Sequence, residues 1–120
     1  HFILVATQEM IDENPNVVTA VLASLYAGEQ VVISDPAASH QSVSNVLGGT
    51  LTPEDVAAAS VNYNFNMQLN QEMLELMVDE GAWIIERGSS EGEPPTMESI
   101  ARFIDGSFLS GIDDSRVTLE

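Results

Sequence analysis

The sequence contains no lysine and no cysteine. Without cysteine there is no disulfide framework, no thiolate metal site and no nucleophilic thiol. Without lysine the basic side chains reduce to Arg87, Arg102 and Arg116, set against 19 aspartates and glutamates. The formal net charge is −16 over 120 residues, with a pI near 4.1. Nucleic-acid binding needs clustered Lys and Arg to neutralise phosphates, so that class of partner is excluded. Docking on an anionic lipid surface is disfavoured for the same reason. Aromatic residues are few, 6%, with Trp83 the one tryptophan.

What is present is a substantial apolar fraction, 44%. That is too much for a disordered acidic tail and enough for one core. Excess carboxylate with no lysine is the charge balance of a halophile protein. Such carboxylates are screened at molar salt, where the Debye length is about 3 Å. An acidic protein of ordinary salinity is the other reading, and charge alone does not separate the two. The longest charge-free apolar stretch, Asn14 to Gly28, contains Pro15 and falls short of the ~20 residues a membrane span needs. The first residues carry no basic region and no small-residue cleavage pattern, so no signal peptide is read there.

Along the chain, Phe2-Ile3-Leu4-Val5-Ala6 is an unbroken apolar run. It reads as a short strand buried on both faces, the kind found in parallel sheets. Thr7 can cap a helical turn over Gln8 to Asp12. Asn14-Pro15 opens a second helix, with Val17, Val18, Val21, Leu22, Leu25 and Val32 at helical spacing. Asp35-Pro36 starts a third, which stops at Gly48-Gly49. Thr52-Pro53-Glu54-Asp55 starts a fourth, running through Ser60. Val61 to Asn66 reads as irregular. Leu69 to Arg87 is the strongest helix. Leu74, Met77, Val78, Gly81 and Ile85 share one face, and Glu72, Glu75, Asp79 and Glu86 the other. Ser89 to Pro95 is a loop, Thr96 caps a short helix over Met97 to Phe103, and Asp105 to Glu120 shows no clear period. The expectation is a single segment, 1–120, with one strand and about five helices and no internal boundary. A lone strand cannot satisfy its edges. Either the chain is essentially all-α, or it belongs to a larger α/β unit.

Candidate chemistry is sparse. His1 and His40 have no partner at metal-ligand spacing, and neither H-E-x-x-H nor a calcium loop occurs. The carboxylate row on Leu69 to Arg87 reads as a solvated face before a cation site, and Asp113-Asp114 as a turn pair. No G-x-S-x-G, S-x-x-K, G-x-G-x-x-G or Walker loop is present. Met67, Met73 and Met77 read as core filler, and Trp83 as a core aromatic or a packing anchor. With no nucleophile–base pair the chain is not read as an enzyme, and no metal or cofactor is expected. Tyr63, Asn64 and Asn66 form an amide–aromatic cluster. It can line a pocket for a small polar ligand or make an ordinary interhelical turn.

The order of signals resembles a known family. Phe2 to Thr7, then Gln8 to Asp12, then Glu13-Asn14-Pro15-Asn16-Val17-Val18, and later Phe103-Ile104-Asp105-Gly106-Ser107-Phe108-Leu109, look like the C-terminal part of the nitrate, sulfonate and taurine type of ABC-importer substrate-binding proteins. That class includes binders of pyrimidine thiamine precursors. The most specific match is Asn14 to Val18 after the apolar run. The resemblance implies an α/β fold of the type II periplasmic-binding-protein kind, bilobed and roughly twice this length. This chain would supply the returning strand and C-terminal helices of one incomplete lobe. It also implies an extracytoplasmic solute binder that meets an ABC permease and closes around a small polar or anionic solute. Thr7, at the carboxyl end of the expected strand, sits where such sheets meet ligands, and Tyr63 and Asn64 are the other candidate contacts. The alternative is a helical protein–protein interaction module without a ligand, dimeric through the Phe2 to Ala6 strand.

Overall fold

The computed structural model describes residues 2–119, so His1 and Glu120 lie outside the described residues. Helix dominates, 62%. The helices follow the punctuation of the sequence. Thr7 accepts a hydrogen bond from the Met10 amide and opens α1, Gln8–Glu13. Asn14 precedes α2, Pro15–Ser34, although its side chain makes no capping bond. Proline at the first helical position brings its own fixed φ and lacks only an amide that has no helical partner there. Asp35 caps α3, Pro36–Val46, by accepting from the Ala38 amide. At its end Gly48 and Gly49 have φ of 63° and 75°, the left-handed backbone that glycine enters without a Cβ clash.

Thr52 caps α4, Pro53–Ser60, in a complete capping box. Both the Thr52 amide and its hydroxyl donate to the Asp55 carboxylate, at 3.0 and 2.8 Å. The backbone bond first, then the hydroxyl bond, hold the Asp55 carboxyl below its ordinary value of 3.8. A carboxyl depressed in the folded state stabilises fully above its unfolded value, and that contribution fades as pH falls through the folded one. Acidification below about pH 4 is therefore expected to fray the first turn of α4. Amide exchange at Val56, whose N–H bonds Thr52 O, reads this directly. An Asp55→Asn variant with the same pH dependence would show that the carboxylate is not the cause.

The chain packs as two compact units, 1–67 and 68–120, where the sequence reads as a single segment without an internal boundary. In the first unit α1 packs on α2, α2 on α3, and α3 on α4. Val56 is its buried apolar residue, and the Ser44 hydroxyl, also buried, donates to Leu51 O at 2.7 Å. In the second unit β1, Leu69–Asn70, leads into α5, Gln71–Glu86, which packs on α6, Met97–Ala101. α7, Ser107–Ser110, is followed by a 3-10 turn, Asp114–Arg116, and β2, Val117–Thr118. β1 and β2 pair in parallel, Leu69 with Val117 and Asn70 with Thr118. Leu74 and Leu109 are buried in this unit. A Cβ on Gly81 would collide with the Pro95 ring, so the absence of a side chain there lets the 89–95 loop lie against α5.

The α/β expectation is overturned. The described residues hold only this two-stranded parallel sheet and show no α/β lobe. Residues 2–6, expected as a buried strand, form no ladder. Phe2 and Val5 are 95% and 84% exposed. An apolar, branched run favours a pleated, buried surface, but a strand exists only where a second edge accepts its hydrogen bonds. No described segment offers that edge to residues 2–6. The pairing appears instead at Leu69–Asn70, read from sequence as the start of the strongest helix, and in the tail, where no period was visible. Asn70 caps α5 by accepting from the Met73 amide, which places the helix start two residues later than the apolar spacing suggests.

The charge-free stretch ends at Gly28, yet α2 continues through Glu29 to Ser34. At 20 residues it is long and apolar enough to cross a bilayer by length and composition. Helices that cross no membrane meet the same criterion, so this says nothing of where the protein resides.

Candidate functional site

The segment after α4 carries the one amide–aromatic cluster of the first unit. Val61 ends α4, and the amides of Asn62 and Tyr63 turn back to Ala59 O and Ser60 O. The chain then runs without regular structure to Met67. Tyr63 and Phe65 bring their rings to 6.1 Å with a 36° tilt, within the 4.5–7 Å range of aromatic pairs. Tyr63 remains 56% and Phe65 45% exposed.

This pair forms one wall of an open apolar groove of about 390 Å³. Phe2, Val43 of α3, Leu51, and Val56, Ala59 and Ser60 of α4 line the rest. The Ser60 hydroxyl donates to Val56 O at 2.7 Å. The volume lies at the lower end of small-ligand pockets.

Of the residues singled out from sequence, Tyr63 lines the groove, while Thr7 and Asn64 do not. The Thr7 hydroxyl accepts from the Met10 amide at 3.1 Å as the cap of α1. Leu51 and Phe65 were not singled out, and Val43 stood only as an apolar mark of the third helix. Their role depends on α3 and α4 packing side by side, which no local spacing reveals.

One buried carboxylate holds the far end of the segment. Glu29, 7% exposed, lies in α2 and accepts from the Met67 amide at 2.6 Å. A charge-assisted bond of this kind contributes about 1.5–3 kcal/mol. Glu29→Ala is expected to lower stability by that amount and to accelerate exchange of the Met67 amide. Glu29→Gln, keeping the shape and an acceptor oxygen, should fall between. Unchanged Met67 exchange in the alanine variant would show that Glu29 does not hold the segment.

In the second unit, Asp79, Glu80, Trp83 and Ile84 border a shallow hollow on α5. The Arg87 guanidinium lies 4.5 Å from the Trp83 ring centroid, a cation–π contact between neighbouring turns. Trp83 is 53% exposed, so it is not a core aromatic. The row Glu72, Glu75, Asp79 and Glu86 is exposed along α5, a solvated face. Asp113 accepts from the Ser115 amide and hydroxyl and pairs with Arg116. Asp114 accepts from the Ser110 hydroxyl. These two acids build the turn before β2. Among the described residues no three His, Cys, Asp or Glu side chains come together as a metal would require.

A scan against protein-family models finds no match to this chain, and comparisons with curated proteins and with solved structures find none either.

Proposed function

We propose that the chain serves as a solute-binding component of an ABC importer, outside the cytoplasm, delivering a small polar or anionic solute of the sulfonate, nitrate or thiamine-precursor kind to a permease. The reading comes from the resemblance at Asn14 to Val18 and Phe103 to Leu109. The observation that carries it here is the aromatic-walled groove in the unit that also holds that Asn14-Pro15 helix entry. Tyr63 is the contact the groove supports. Thr7 and Asn64 enter as contacts only if the solute extends beyond the groove.

A ligand that binds the folded state alone raises stability by about 2.7 kcal/mol at a hundredfold excess over its Kd. Thermal melting in molar KCl with nitrate, taurine, an alkanesulfonate and an aminopyrimidine is the direct test. At least one solute should raise the midpoint by several degrees. No response to any of them would end this reading.

A second reading has its own observation. Phe2 and Val5 are almost fully exposed, and Ile3 and Leu4 are half exposed. Contiguous apolar surface of this kind marks association sites. A helical interaction module that dimerises through Phe2 to Ala6 would run at twice its mass in size-exclusion chromatography with light scattering. It would show no solute response, and Val5→Asp would return it to the monomer.

A further inference from the structure

The run Phe2 to Ala6 and the groove beside Tyr63 are two uncharged apolar surfaces on one strongly acidic unit. Residues 1–67 contain no lysine and no arginine, but seven carboxylates: Glu9, Asp12, Glu13, Glu29, Asp35, Glu54 and Asp55. Two copies of this unit cannot be held together by ion pairs at neutral pH, since like charges set against each other repel. Attraction between them has to be apolar. The groove supplies one side of such a contact. Val43, Leu51, Tyr63 and Phe65 line it and are half-exposed, and no charged side chain is in its lining. The run supplies the other side. It is five apolar residues without a charge and without a ladder partner among the described residues. Phe2 lines its own chain's groove yet is 95% exposed, so the run reaches the groove without filling it. Each chain thus carries one apolar segment and one apolar groove, both open to water.

Resting on the dimer reading, we propose that the run Phe2 to Ala6 of each copy seats in the Tyr63 groove of the other, a reciprocal exchange about a twofold axis. A twofold contact is self-complementary. The same two surfaces meet twice, and neither an unfilled groove nor an uncovered run remains. Five extended residues reach roughly 17 Å past Thr7, which caps the start of α1. That exceeds the ~10–12 Å width of a helix, enough to cross to a neighbouring copy. The exchange gathers like charge around an apolar seam, so salt strengthens it by screening the repulsion. A solute against Tyr63 and the partner's run occupy the same space, so dimer and solute exclude each other.

Size-exclusion chromatography with light scattering, run on the full chain over a concentration series in molar KCl, reads the strength of the dimer. Val5→Asp places a charge on the run, and Leu51→Asp places one in the groove at a half-exposed position. Each is expected to weaken the dimer by about tenfold or more. An equimolar mixture of the two variants should associate more tightly than either alone, because one pairing then joins an intact run to an intact groove. On the unaltered chain, with half the copies isotope-labelled, nuclear Overhauser contacts from the Phe2 ring should reach Tyr63 or Phe65 of the other copy. That measurement decides the matter if a variant folds poorly. A dimer that Leu51→Asp leaves at full strength, or whose contacts between copies join run to run, overturns the exchange and leaves the dimer reading standing. A chain that stays monomeric at every concentration in molar KCl removes both.

Discussion

Leu74→Ala is expected to lower stability by about 2–5 kcal/mol, the usual cost of a leucine truncated inside a core. Leu74 is 3% exposed. It lies on the face of α5 whose other members, Met77, Val78, Gly81 and Ile85, are half-buried. The effect is large relative to the whole, because native domains are stable by only about 5–15 kcal/mol. Val56, Leu74 and Leu109 are the buried apolar residues among those described, so few neighbours exist to make up the loss. The melting midpoint should fall by about 10 °C or more for a chain of this size. Trp83 is the single tryptophan and sits on α5 itself, so its fluorescence reports this unit alone. Glu75→Ala, on the exposed side of the same helix, should stay within about 0.5 kcal/mol. A Leu74→Ala loss no greater than that of Glu75→Ala would mean that α5 does not bury the face its apolar spacing selects.

The α5 stripe was legible because it is written in one continuous stretch. Five apolar residues recur at helical spacing with carboxylates opposite, and a helix with that pattern has one face to bury. Four helix starts were equally legible, while those of α5 and α7 were not. Thr7, Asp35, Thr52 and Thr96 each accept an amide three residues on, and that bond involves only near neighbours. Residues 2–6 failed for the opposite reason. Their composition states a preference for a buried strand, but pairing requires a distant segment, and no residue within the run encodes which one. Leu69–Asn70 with Val117–Thr118 is the same problem in reverse. Each strand is two residues long, too short to show alternation, and the partners are 48 positions apart in register. The Tyr63 groove was half legible. Tyr63 stood out by its chemistry, whereas Val43 and Leu51 enter only through the packing of α3 on α4. Glu29 was invisible, since a single glutamate on a long apolar helix gives no sign that it will accept from an amide 38 residues away.

Dilution from molar to tens of millimolar KCl is expected to cost several kcal/mol and to lower the melting midpoint by more than about 10 °C. The chain carries sixteen uncompensated negative charges at pH 7. Two like charges 10 Å apart in water repel by roughly 0.4 kcal/mol. At molar salt, with a Debye length near 3 Å, that repulsion is almost wholly screened, whereas at 0.01 M the screening length of about 30 Å exceeds the spacing. The few arginines offer little relief. Arg102 pairs with Glu98 and Arg116 with Asp113, both within one turn of chain, and residues 1–67 have no arginine at all. The core is thin enough for such a sum to matter. Acid offers an independent handle on the same repulsion, because protonation toward the pI of about 4.1 removes the charges that salt only screens. At low salt, mild acidification should therefore recover part of the lost stability. At molar salt it should not, and the loss of the Asp55 cap should show only once the pH falls below about 4. A midpoint that stays flat from tens of millimolar to molar KCl, at neutral pH, would reduce the acidity to a solvated surface and remove the case for a halophilic protein.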